Sequence, residues 1–136
     1  MTTNGTGYGV AGYNNTSDLT KAGVIDPASP EAIVAMREVG VDLSRHRSRG
    51  ISAELMQRAD VVLAMTQRHL DELARRFPGS PERRWLLRAF ESRVTPARRA
   101  RNLRDPIGKP VEAYRKQVPI MARCLENLAS FLRLEL

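Results

Sequence analysis

The run Ala-Asp-Val-Val-Leu-Ala-Met-Thr at 59–66 decides how the rest of the chain is read. Val61 to Ala64 are apolar without a break and begin with two β-branched residues, which suits a parallel strand buried on both faces better than one with a wet side. Upstream, Ser52 can cap a short helix over 53–58; downstream, Thr66 can cap another reaching about Arg76. Helix, strand and helix in that order predict an α/β sheet with this strand at its centre.

The bulk numbers allow one such domain. At 136 residues the chain can bury one core, and with aromatics at only 5% that core must be aliphatic. The first residues lack the basic start and apolar stretch of a signal peptide, and no apolar run approaches the ~20 residues that cross a bilayer, so a soluble, cytoplasmic protein is expected. Cys124 is the one cysteine, which excludes an intrachain disulfide and any multi-cysteine metal site. His46 and His69 have no spacing that links them as ligands, so neither a metal nor a cofactor is expected. The net charge of +7 raises the question of nucleic acid. The arginines are scattered through every predicted helix, which reads against that partner; only 93–104, with Arg98, Arg99 and Arg101, forms a patch.

Working outward, residues 1–17 are glycine-rich and without period, and are expected to be a flexible segment preceding a domain over 18–136. Gly7, Gly9 and Gly12 have the G-x-G-x-x-G spacing, but no strand precedes them and no helix follows, so dinucleotide binding is not expected. Residues 19–25 read as a short strand ended by Asp26-Pro27. Ser29 (N-cap), Pro30, Glu31 and Gly40 then bracket a helix whose stripe, Ile33, Met36 and Val39 with Val34 at its margin, should lie on the sheet. Residues 41–50 read as a structural connection. Leu70, Leu73, Ala74 and Phe77 stripe the helix after the central strand. Residues 84–87 read as a further strand, with Trp85 as a packing residue. Asp105-Pro106-Ile107-Gly108 has turn chemistry. From Pro110 to about Leu134 the pattern is helical, with Val111, Tyr114, Val118, Met121, Leu125, Leu128 and Leu132 near one face and Pro119 expected to kink or split it.

Pro-Ala-Ser-Pro-Glu-Ala at 27–32, Val-Asp-Leu-Ser-Arg-His-Arg-Ser-Arg at 41–49, the 59–66 run, and Asp-Pro-Ile-Gly followed by Tyr114 together resemble the low-molecular-weight protein-tyrosine phosphatase family, which includes arginine phosphatases and related arsenate reductases. The resemblance extends from Pro27 to Leu132. It implies a flavodoxin-like, doubly wound parallel sheet, hydrolysis of phosphomonoesters through a cysteinyl-phosphate, and a phosphorylated protein or small phosphomonoester as partner. It also implies that Asp105, in the Asp-Pro motif, matches the general acid.

The chemistry requires a thiolate held among backbone N–H groups at a helix N-terminus, where macrodipole and arginine stabilise negative charge. The signature for that loop, Cys-x5-Arg followed by Ser or Thr, is not in this sequence: six places beyond Cys124 stands Ser130, and Cys124 lies near the apolar face of a helix. No phosphate-binding residue is therefore assigned. The sheet is expected to be incomplete, without its first strand, phosphate loop and first helix, and activity to be weak or absent. The other reading is a non-catalytic module that holds an acidic or phosphorylated partner. The expected bare sheet edge would pair with an intact phosphatase, a partner strand or a second copy.

Overall fold

The computed structural model describes residues 26–92, 95–97 and 99–135. The glycine-rich segment, the expected strand at 19–25 and the question of a missing first strand and loop lie outside the described residues. In chain order the elements are α1 (Pro30–Arg37), α2 (Ala53–Arg58), β1 (Val62–Ala64), α3 (Gln67–Arg76), β2 (Arg84–Leu86) and α4 (Val111–Glu135), with 3-10 turns at Pro81–Arg83 and Leu87–Glu91.

The first three helix starts are set by their caps. Ser29 accepts a hydrogen bond from Ala32 N at 3.2 Å, Ser52 from Leu55 N at 3.1 Å and Thr66 from His69 N at 3.2 Å, so one otherwise orphaned donor is satisfied at each N-terminus. The turn after α1 closes at Gly40, whose φ of +83° is a conformation that costs glycine least. A buried guanidinium ends α3: Arg84 is 6% exposed and donates to the carbonyls of Leu73, Phe77 and Pro78.

β1 and β2 are parallel, in register Val62 with Arg84, Leu63 with Trp85 and Ala64 with Leu86. A parallel pair needs a crossover, and α3 with the turn after it supplies one. Successive side chains of the strands enter opposite layers. Val62, Ala64 and Leu86 pack with Ile51, Met56, Leu70, Leu73 and Phe77 under α2 and α3. Leu63, Met65 and Trp85 pack on the other face with Leu87, Phe90, Leu103, Cys124 and Leu128, under α4. Rings of Trp85, Phe90 and Phe131 meet there at centroid distances of 5.5 and 6.1 Å. Helices on both faces of a parallel pair make the α/β class expected from the sequence, with Trp85 a packing residue.

Several details differ. β1 is shorter than the expected Val61–Met65 run, and only Ala64 in it is fully buried. α1 packs on α4 rather than on the sheet: Ala35 is its buried residue, and Val39 is 55% exposed. Ala74 is exposed on α3, and on α4 Leu125 is 44% exposed while Cys124 and Leu128 carry the core face. α4 is not split at Pro119. Pro119 and Arg115, whose carbonyl loses its donor, are both exposed, so water can replace the missing bond.

Candidate functional site

In open α/β sheets, ligands bind beyond the carboxyl ends of the strands. The carboxyl end of β1 leads into Met65 and Thr66, and the segment at 99–108 is tied to it. Leu103 N donates to Met65 O at 2.8 Å, extending the chain alongside β1, and Leu103 itself is 5% exposed in the core. The Asn102 side-chain oxygen accepts from Gln67 N at 2.8 Å, adding a second cap to α3. The Gln117 amide of α4 donates to Arg104 O, and Arg88 reaches Asn102 O at 3.4 Å. Sheet, helix start and α4 thus fix the segment leading into Asp105.

Asp105 is half-buried. Its Oδ1 accepts from Ile107 N at 2.9 Å, its Oδ2 is out of contact with solvent, and the turn beyond it closes through Lys109 N on Pro106 O at 2.8 Å, with Gly108 at φ +80°. The expected turn chemistry is present, and the segment just before Asp105 borders a cleft of about 600 Å³. Among the described residues, Gln67, Arg99, Ala100, Arg101, Asn102 and Arg104 line it.

Cys124 is elsewhere. It lies inside α4, 0% exposed, among Phe90, Leu87, Leu103 and Leu128. Burial pushes its thiol above the ordinary range, and nearby Glu91 pushes it the same way, opposite to what a nucleophile needs. The 41–50 segment is a connection, as expected: Ser48 is buried, accepts from Asp26 N at 3.0 Å and donates its own N–H to Asp26 O at 2.9 Å. Among the described residues, no group of His, Cys, Asp and Glu could hold a metal ion. Asn102 and Gln117 escaped the sequence reading because the partners they hold lie 35 and 13 positions away, beyond any local pattern.

Parallel strands with helices on both faces and an Asp-Pro turn beyond a strand's carboxyl end make a flavodoxin-like α/β arrangement. The profile of the family described as low molecular weight phosphotyrosine protein phosphatase matches residues 8–135, and the chain belongs to that family. A protein-arginine-phosphatase of Geobacillus stearothermophilus is 32% identical over 108 residues, 79% of this chain and 69% of that protein. A probable low molecular weight protein-tyrosine-phosphatase of Ralstonia nicotianae is 28% identical over 100 residues, 71% of this chain and 61% of that one. The solved YwlE arginine phosphatase from Geobacillus stearothermophilus superposes with a TM-score of 0.69 at 30% identity, covering 82% of this chain and 68% of that one. The chain thus spans about two thirds of the length of these relatives. No described helix is long and apolar enough to cross a membrane.

Proposed function

We propose that the chain as given carries the scaffold and acid loop of a phosphatase without a working nucleophile, and is weakly active or inactive on phosphomonoesters by itself. The observation that carries this reading is the position of Cys124, the chain's one thiol, mid-helix and 0% exposed. In the family's reaction a thiolate attacks phosphorus, the P–O bond to the leaving group breaks, and a carboxylic acid gives its proton to the departing oxygen. A later water, deprotonated by the same carboxylate, releases phosphate. Asp105 is our candidate for that acid and base, supported by its place in the Asp-Pro motif and by the turn that fixes its carboxyl through Ile107 N. The attacking group has no candidate.

The purified chain is tested with a small aryl phosphate. Release at the uncatalysed rate in the parent, Cys124→Ser and Asp105→Asn proteins is expected; turnover that survives Cys124→Ser but falls with Asp105→Asn would demand another nucleophile and end this reading. The DNA 5′ of the Met1 codon supplies an independent check, since an in-frame Cys-x5-Arg loop there would make the longer product an ordinary phosphatase. A second reading, a module that holds an acidic or phosphorylated partner, is supported by the basic lining of the cleft.

A further inference from the structure

The segment before Asp105 alternates. Ala100 and Leu103 turn inward, Ala100 touching both core clusters, while Arg99, Arg101 and Arg104 are exposed. The inward residues and the hydrogen bonds to Met65, Gln67, Gln117 and Arg88 anchor the main chain, so cationic side chains are displayed from a support already fixed in place. Less entropy is then lost when a ligand arrives. Arg101 reaches the carboxylate of Glu91 at 3.5 Å, an intramolecular instance of the contact a ligand carboxylate would make.

We propose that the cleft lined by Arg99, Arg101, Arg104, Gln67 and Asn102 is a docking site for an acidic peptide segment, the residues flanking a phosphorylated side chain in a protein ligand. This rests on the family reading above, and names where its partner would be held. Arg99, Arg101 and Arg104 lie within six residues of one segment that ends at Asp105, so an extended peptide crossing the cleft, at one residue per ~3.3 Å, can set successive acidic side chains against them. The carboxylates pair with guanidiniums, while Asn102, whose side-chain oxygen holds Gln67 N, keeps its amide N–H groups for the peptide backbone. Single-stranded nucleic acid is the poorer fit. The described lining contains no aromatic side chain on which a base could stack.

The full chain is titrated by fluorescence anisotropy with a fluorescein-labelled decapeptide of alternating Glu and Ser. The same is done with its Gln-for-Glu counterpart and with a single-stranded RNA of equal length, at low and at physiological salt. Binding of the Glu peptide, not the Gln peptide, is expected. Arg99→Gln and Arg104→Gln should each weaken it about threefold and together about tenfold, since exposed ion pairs are individually weak. Raising salt should weaken it further. Arg133→Gln, exposed at the far end of α4, should leave it within about twofold. Equal binding of the two peptides, indifference to both cleft substitutions, or RNA binding more tightly than the Glu peptide through the same arginines would overturn the proposal. None of these readouts depends on turnover, so an active chain would sink the catalytic reading and leave this one standing, and the reverse.

Discussion

Cys124 and Arg84 show how differently burial acts on two polar side chains. The thiol is a small apolar filler whose neighbours, Phe90 and Leu87, are among the largest fully buried side chains, and it titrates late because the thiolate would lose its water. A group that ionises at higher pH in the fold than in the unfolded chain contributes stability below its unfolded pKa and loses it as pH rises through the folded value. Denaturant stability should therefore fall on the alkaline side above about pH 9, and Cys124→Ala should lack that component of the decline. Thiol-specific labelling of the native protein should wait for unfolding; fast stoichiometric labelling would contradict the buried position. Arg84, by contrast, stays in the core because carbonyls at the end of α3 receive its guanidinium. Arg84→Met keeps the stem but strands those acceptors, and an equilibrium urea titration should show a loss of about 2–4 kcal/mol. A loss below about 0.5 kcal/mol, the scale of an ordinary surface substitution, would mean that water satisfies them instead.

At the scale of elements, α1 and α4 are held by a polar clasp. Arg115 donates from Nε and a terminal nitrogen to Glu38 at 2.9 and 2.6 Å and from its other terminal nitrogen to Glu112 at 2.6 Å, and Ser29 donates its hydroxyl proton to Tyr114 at 3.0 Å. The hydrogen bonds from Arg115 hold the Glu38 carboxyl below its ordinary range. A carboxyl depressed in the fold contributes above its unfolded value and is lost as pH falls through the folded one. Acid unfolding should thus begin at higher pH in Arg115→Gln than in the parent, read by circular dichroism from pH 5 downward; coincident acid transitions would remove the clasp from the account. Pro119 tests α4 itself. Because the helix continues through it on an exposed face, Pro119→Ala should restore one backbone hydrogen bond and stabilise the protein by about 1–3 kcal/mol, seen as a raised urea midpoint. A destabilised variant would show that packing has come to depend on the proline.

For the whole molecule, what the sequence disclosed followed the range of the interaction. Caps at Ser29, Ser52 and Thr66, the glycine turns, the 59–66 strand and the long final helix are local and were legible. The family followed from motifs kept in order. What escaped was set by distant partners: Ala35 rather than Val39 facing α4, Cys124 rather than Leu125 facing the core, and Asn102 and Gln117 steadying the loop before Asp105. A helical stripe allows a rotation of some tens of degrees, and only packing against a particular neighbour selects one.

The functional account depends on whether any side chain of this chain receives a phosphoryl group. The decisive measurement is the intact mass of the purified protein after incubation with excess aryl phosphate and a denaturing quench at alkaline pH, since the S–P bond of a cysteinyl-phosphate hydrolyses in acid. The account predicts the unmodified mass alone. A stoichiometric increase equal to one phosphoryl group, abolished by Cys124→Ser, would contradict it and place a working nucleophile where we find a buried structural thiol.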